Sequence, residues 1–265
     1  MTESTLSYEE GLYPFQNRIL KVADGLSLPF YLTGGTALSR FYYGHRYSDD
    51  LDFFVNMDGD YADYVAHLVD ALLNEGLETV PGTVENHVET GFFRALFSDP
   101  ATGNAVKIDM VNDIAPRFGI LKTVPEFSRV DSIENILTNK ISALIGRDEI
   151  KDIVDLREIC LHHGFSWSDA LAEAMEKEAN IDPDFIACKL ALVNEEHLND
   201  IRWIRRPTFD TFRKDMQTIV QDMMNLSDNT LCLGARGSEM RMVRASLIRK
   251  MERSFNAAEQ NRGGR

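Results

Sequence analysis

Three acidic residues lie in two short apolar segments whose composition is typical of β-strands. Asp50 and Asp52 flank Leu51, and Asp109 lies within the segment 106–110. Side chains at positions i and i+2 of a strand point to the same face, so Asp50 and Asp52 project together. If the two strands are neighbours, the three carboxylates converge, and a bound divalent cation offsets their mutual repulsion. Such a site can catalyse phosphoryl transfer, whereas the acidic residues at 49–52, taken alone, could equally form a solvated turn.

A pair of glycines, Gly34 and Gly35, lies upstream, between a short apolar segment and the start of a predicted helix. Glycines let backbone N–H groups approach a phosphate closely, and the N-terminus of a helix adds a favourable dipole. The chain contains neither GxxxxGK[ST] nor GxGxxG. These absences argue against a P-loop and a dinucleotide-binding fold.

Basic residues that could neutralise a triphosphate follow the third aspartate. In an unbroken helix, Lys140, Arg147 and Lys151 lie within about 40° of one another on one face, with Asp155 close by. The Gly-Arg-Asp sequence around Arg147 could instead end one helix and begin the next, with its aspartate as N-cap. The alternative to a phosphate site is an exposed helix on which Lys151 pairs with Asp155.

Hydrophobic spacing predicts an α+β fold in which a small mixed sheet with helices is followed by a helical C-terminal half. Strands are predicted at residues 29–33, 51–55, 91–97 and 105–111. Helices are predicted at residues 12–23, 37–43, 61–73, 132–145, 149–162, 168–178, 183–193, 209–225 and 238–259. A break near residues 128–131 divides the chain into an α/β core, residues 1–130, and a helical domain, residues 131–265, that contributes to the active-site cleft.

The composition is that of an ordinary globular protein. Of the 265 residues, 44% are hydrophobic and 26% charged, and the net charge of −14 argues against a protein that coats duplex nucleic acid by bulk charge. No run of about 18 apolar residues predicts a membrane span, and residues 1–10 lack the features of a signal peptide. The three cysteines, far apart, fit reduced thiols. We therefore predict a cytoplasmic protein.

Two basic stretches stand out in this acidic chain. The first holds the candidate RNA-binding residues Arg202, Arg205 and Arg206, and the second is the tail at residues 236–265, with eight basic and three acidic residues. Both stretches could form a groove for RNA, although solvated basic surfaces are an equally simple interpretation.

Four ordered motifs together resemble a known family. They are the sequence GGTAL at residues 34–38, the segment HRYSDDLDFF at 45–54, the Lys-Ile-Asp sequence ending at Asp109, and the spacing LxxKxxA…R…KDxxDL over residues 137–156. The combination resembles the DNA polymerase β-type nucleotidyltransferases, and in particular their AbiEii/AbiGii toxin branch. The resemblance implies a nucleotidyltransferase-type mixed sheet. The chain departs from the wider superfamily at Gly35, where a serine is common.

The resemblance also implies roles for individual residues. The expected ligands of Mg²⁺ or Mn²⁺ are Asp50, Asp52 and Asp109, the last of which also helps to activate an attacking hydroxyl. Lys140 is expected to bind the triphosphate, and Asp155 matches a recurrent family acid to which we assign no specific role. The remaining candidates for binding nucleotide or phosphate, or for bracing the loop that does so, are Gly34, Gly35, Thr36, Arg46, Ser48, Arg147 and Lys151.

The implied activity is transfer of a nucleoside monophosphate from an NTP to an acceptor hydroxyl. The family resemblance suggests an RNA acceptor, with tRNA as the first choice, and a cognate antitoxin as a protein partner. Two alternatives are a small-molecule acceptor, such as an aminoglycoside-like antibiotic, and a non-catalytic nucleotide-binding regulator on the same fold. The sequence does not predict the nucleotide preference or the oligomeric state.

Overall fold

The structure is a computed structural model that describes residues 8–232. The strands within these residues are β1 (Tyr31–Thr33), β2 (Leu51–Asn56), β3 (Glu78–Thr79), β4 (Glu85–His87), β5 (Phe92–Ser98), β6 (Ala105–Asp113), β7 (Lys122–Val124) and β8 (Phe127–Val130). The helices are α1 (Tyr13–Gly25), α2 (Gly34–Leu38), α3 (Tyr61–Asn74), α4 (Ile133–Gly146), α5 (Ile150–His162), α6 (Trp167–Lys177), α7 (Pro183–Ala191) and α8 (Phe209–Met224).

The strands form one mixed sheet in the order β3-β5-β6-β2-β1-β8-β7, with β4 paired to β5. The central strands β2 and β6 are parallel, whereas β1 and β5 run antiparallel to their neighbours β2 and β6. All described strands precede residue 131, and helices α4 to α8 follow. The α+β prediction, a small mixed sheet followed by a helical half, is confirmed.

Strand β2 shows why the sheet positions the acidic residues as it does. Leu51, Phe53 and Val55 are buried in the core, so Asp52 and the other alternate residues face the opposite side. The hydrophobic core is continuous: β2 and the helical residue Trp167 belong to the same cluster. The division into domains 1–130 and 131–265 therefore stays a prediction.

Several local predictions need correction. Strand β8, which was not predicted, occupies the position of the predicted break at residues 128–131 and pairs in parallel with β1. The helix predicted at residues 37–43 begins earlier, at Gly34, and continues as a π-helical turn at Ser39–Tyr43. The strands β3, β4 and β7 were not predicted because they are only two or three residues long and largely exposed.

The helical segment carrying the basic residues is broken. Helix α4 ends at Gly146 and α5 begins at Ile150, so the interrupted alternative is correct. Glu149, and not Asp148, occupies the N-cap position of α5. The predicted helix at 238–259 and the basic tail at 236–265 lie outside the described residues. No helix within residues 8–232 combines the length and apolar character needed to cross a bilayer.

Candidate active site

The parallel pairing of β2 with β6 brings the predicted carboxylates together. Asp52 lies directly beside Asp109 in the register, as the hypothesis of neighbouring strands requires. One step along the same face, Lys107 of β6 contacts Asp50, with 2.9 Å between Nζ and Oδ2. Two adjacent strands thus present three carboxylates and one ammonium group toward one side of the sheet.

Asp52 packs against the first glycine of the upstream motif. A Cβ atom added to Gly34 would lie 2.2 Å from Asp52 Oδ2, and Gly34 has a left-handed φ of +70°. Both facts require glycine at this position, because a side chain would be strained and would displace the carboxylate. The side chain of Asp52 forms no hydrogen bond or ion pair within the described part of the chain. Its carboxylate is therefore available to a ligand.

Electrostatics favour a cation beside Asp52. Burial, and then the nearby charges of Asp109 and Asp50, raise the pKa of Asp52 to about 6. A divalent cation would relieve this repulsion, and Mg²⁺ typically takes one or two carboxylates together with substrate phosphates. The adjacent pair Asp52 and Asp109 fits that requirement. Among residues 8–232, however, no three His, Cys, Asp or Glu side chains form a metal-holding cluster.

Two cations that no predicted role covered pair with Asp109 and Asp50. Arg94 donates from Nε and Nη2 to the two oxygens of Asp109, each at 2.7 Å, and Lys107 holds Asp50. Arg94 lies on β5 directly opposite Asp109. Only the pairing of β5 with β6 could have identified it, since the two residues are 15 positions apart.

Asp52 and Asp109 open onto a cleft of about 530 Å³ between the sheet and helix α4, whereas Asp50 is not among the residues that line it. Gly34, Asp52, Asp109, Lys140 and Arg147 all line it, so the cleft brings together predicted residues from all four motifs. The cleft is also lined by polar residues that no sequence motif indicated: Arg94, Asp113, Asn139, Lys177 and Glu178.

Behind the cleft, Asp155 is fully buried and binds three basic side chains. Its oxygens lie 2.9 Å from His45 Nε2, 2.7 Å from Arg46 Nε and 2.6 Å from Lys140 Nζ. Burial acts to raise the pKa of Asp155, but the charges of Arg46 and Lys140 outweigh it and hold that pKa well below its usual range. His45, which contacts this carboxylate, is also buried.

The position of Asp155 indicates a positioning role. It is absent from the cleft lining, and its partner Arg46 contacts the second glycine of the motif. A Cβ atom on Gly35 would lie 2.2 Å from Arg46 Nη2. Gly35 is therefore required to admit this arginine, and Asp155 fixes the arginine against the glycine turn.

The remaining predicted phosphate-binding residues occupy different places. Lys140 also contacts Asp152 at 2.7 Å, and Arg147 donates from Nε to the same carboxylate at 2.7 Å. Lys151 pairs with Glu149 at 3.0 Å and is absent from the cleft lining, so the pair with Asp155 that the alternative interpretation required is not formed. The reason is that Asp155 faces inward.

The hydroxyls of the glycine motif brace the loop that precedes β2. Thr36 Oγ1 lies 2.8 Å from Ser48 Oγ, and Thr36 also contacts the backbone carbonyl of Asp50. These side chains tie the short helix α2 to the start of β2, and neither lines the cleft.

Comparison with known proteins assigns the chain to a family. The family model described as "Nucleotidyl transferase AbiEii toxin, Type IV TA system" matches residues 18–233. The chain belongs to the AbiEii family. The matched region contains both the carboxylate strands and the helices that close the cleft, and the resemblance inferred from the four motifs is confirmed.

Individual relatives of this AbiEii-family chain are distant. The uncharacterized protein aq_aa25 of Aquifex aeolicus is 24% identical over 213 residues, covering 76% of this chain and 93% of that protein. The crystal structure of JHP933 from Helicobacter pylori superposes with a TM-score of 0.59 at 17% identity, covering 93% of this chain and 99% of that one. A second H. pylori structure, described provisionally as a nucleotidyltransferase, gives 0.53 at 19% identity, with coverages of 86% and 99%. At these identities the structures support the fold alone.

The candidate RNA-binding arginines lie on a loop that packs against the motif loop. Tyr47 N donates to the carbonyl oxygen of Arg202 at 2.8 Å. Arg202 contacts Asp49, Arg205 contacts Glu158, and Arg206 donates to the side chain of Asn199. All three arginines are exposed. They form an exposed basic surface joined by backbone contacts to the segment that carries Asp50 and Asp52.

Proposed function

We propose that this AbiEii-family protein transfers a nucleoside monophosphate from an NTP to an acceptor hydroxyl, with Mg²⁺ or Mn²⁺ as cofactor. The observation that carries the proposal is the side-by-side placement of Asp52 and Asp109 in a cleft that also exposes Gly34, Lys140 and Arg147. Paired carboxylates and converging cations are what a triphosphate bound through a metal ion requires.

The proposed metal ligands are Asp50, Asp52 and Asp109. A divalent cation bound there supplies Lewis-acid stabilisation of the charge that develops on the phosphoryl oxygens. Since Lys107 and Arg94 already neutralise Asp50 and Asp109, Asp52 is the carboxylate with the most to gain from the ion. Its substitution is therefore the sharpest test of metal dependence.

In the proposed reaction the acceptor oxygen forms a bond to the α-phosphorus of the NTP as the bond to the bridging α–β oxygen breaks. The hydroxyl proton passes to Asp109, and pyrophosphate leaves. Lys140 and Arg147 approach the cleft from α4 and its C-terminal end, where they can offset the negative charge of the leaving group. Gly34 borders the same cleft. Because it has no side chain, its backbone can approach the phosphates closely.

We further propose that the acceptor is RNA, with tRNA as the first candidate, and that an antitoxin is the protein partner. The exposed arginines Arg202, Arg205 and Arg206 support an RNA acceptor, because they provide local positive charge beside the motif loop of an otherwise acidic protein. The toxin–antitoxin name of the family supports the protein partner.

A labelling experiment tests the proposal. The full chain is incubated with Mg²⁺, total cellular RNA and each of four α-³²P-labelled NTPs, and label in the RNA is measured. The wild type is compared with Asp52→Asn, which removes one metal-facing charge and keeps the shape, and with Asp70→Asn, the same change at an exposed position of α3.

We expect label to enter RNA with the wild type and Asp70→Asn, and to fall by at least about a hundredfold with Asp52→Asn. An unchanged rate in Asp52→Asn would reject the assignment of the site. Binding of NTP without label in RNA would reject the RNA acceptor, and it would favour a small-molecule acceptor or a non-catalytic regulator.

A further inference from the structure

The cleft extends beyond the carboxylates to a second group of polar side chains. Asp109, Val111 and Asp113 alternate along β6 and all line it. Asp113 is four positions from Asp109, which is roughly 13 Å along an extended strand. A nucleotide spans a comparable length from its α-phosphate to the far hydrogen-bonding edge of its base, once the contacts at both ends are included. If the phosphates lie at Asp52 and Asp109, the base reaches Asp113.

The surface between the two ends is apolar. Phe54 and Phe92 lie beside Val111 on neighbouring strands, and Ile136 faces them from α4. Aromatic and branched side chains of this kind favour stacking of a flat, weakly polar ring over binding of further phosphate. The middle of the cleft therefore suits the sugar and base of a nucleotide.

At the end of the cleft near Asp113, three polar side chains are hydrogen-bonded to one another. Lys177 Nζ lies 3.1 Å from Asp113 Oδ2 and 2.7 Å from Asn139 Oδ1. Its side chain is only 5% exposed although it faces the cleft. An ammonium group has three donors, so one remains for a ligand. Within residues 8–232, Asp113 Oδ1 accepts no hydrogen bond and is an available acceptor beside that donor.

We propose that Asp113 and Lys177 form the base-recognition site of this enzyme and select nucleobases with a ring N–H beside a carbonyl, namely guanine and uracil. This inference rests on the proposed nucleotidyl transfer. The carboxylate accepts the ring N–H, and the ammonium donates to the adjacent carbonyl oxygen. Adenine and cytosine present a ring-nitrogen lone pair and an amino group instead. With the base held in the same orientation, their ring lone pair faces the carboxylate and their amino N–H faces the ammonium, so each contact is reversed.

Calorimetric titration of the full chain tests the inference. The ligands are GTP, UTP, ATP, CTP and inorganic tripolyphosphate, each with Mg²⁺ and without an acceptor. We expect GTP and UTP to bind at least about tenfold more tightly than ATP and CTP, since hydrogen bonds to charged groups commonly change affinity by that factor. Tripolyphosphate, which has no base, reports on the phosphate end alone.

Two variants sharpen the test. Asp113→Asn introduces an amide that can donate to the ring nitrogen of adenine or cytosine, and Lys177→Met removes the donor while keeping most of the side-chain volume. In both, we expect the preference for GTP and UTP to fall to near unity or reverse, with tripolyphosphate affinity unchanged. Asp70→Asn serves as the matched control and keeps the wild-type preference.

The outcomes separate this inference from the proposed function. Tripolyphosphate binding with no preference among the four NTPs, or with a preference for ATP and CTP, overturns the base-recognition site and leaves the phosphate end intact. A wild-type preference that survives both variants also overturns it. If neither tripolyphosphate nor any NTP binds, the proposed function is overturned, and the proposed base-recognition site is overturned as well.

Discussion

Replacing Asp155 by Asn tests the buried ionic cluster behind the cleft. The wild-type carboxylate is fully buried and contacts Arg46, Lys140 and His45. The substitution leaves Arg46 without its carboxylate partner and Lys140 with Asp152 alone. Removing one member of a buried ion pair typically costs about 3–5 kcal/mol, because the remaining charge stays desolvated. We expect the free energy of unfolding to fall by that amount.

Urea unfolding followed by tryptophan fluorescence measures this loss, because Trp167 is fully buried in α6. The matched control Asp70→Asn is expected to change stability by no more than about 0.5 kcal/mol. A loss below about 1 kcal/mol in Asp155→Asn, the size expected for an exposed pair, would refute the assignment of Asp155 as the centre of a buried cluster.

The pH dependence gives a second check on Asp155. Burial raises the pKa of this carboxyl, but Arg46 and Lys140 together lower it well below the unfolded value of about 3.9. A depressed acid pKa contributes stability above the unfolded value and loses it as pH falls through the folded one. The difference between wild type and Asp155→Asn should therefore be constant from pH 5 to 8 and shrink below about pH 4. A difference that changes between pH 6 and 8 would contradict this account.

Two further predictions concern the glycine motif and the basic loop. Gly34→Ala should lower the free energy of unfolding by about 1–2 kcal/mol, because Gly34 has a left-handed φ. The added Cβ should also displace Asp52 and slow nucleotidyl transfer at least about tenfold. Wild-type values of both quantities would contradict the close contact between Gly34 and Asp52. Arg206→Glu should weaken RNA labelling several-fold and leave NTP affinity unchanged, as measured by calorimetry. Equal loss of both would exclude a specific role in RNA binding.

Local sequence pattern was sufficient for much of the sheet and for its acidic face. The alternation in β2 identifies Leu51, Phe53 and Val55 as inward-facing, and thereby places Asp50 and Asp52 on one side. Glycine at position 34 marks a turn that no other residue adopts easily. These features depend on near neighbours in the chain, so hydrophobic period and backbone freedom are enough to predict them.

Short edge strands and helix boundaries were predicted less well for a physical reason. Strand β8 has only four residues and gains its stability from pairing with β1, which lies almost a hundred positions earlier. Such a segment has no periodic signal of its own.

The amino-acid sequence by itself determined the family, the α+β class and the candidate carboxylates, because short motifs and residue alternation encode them. The tertiary structure alone decided which charges meet. In the folded chain Arg94 pairs with Asp109, and the buried Asp155 pairs with Arg46. Lys177 lies beside Asp113 at the end of the cleft away from Asp52. Each of these contacts joins residues far apart in the chain, and strand order and helix docking, which no local pattern records, bring them within hydrogen-bonding distance.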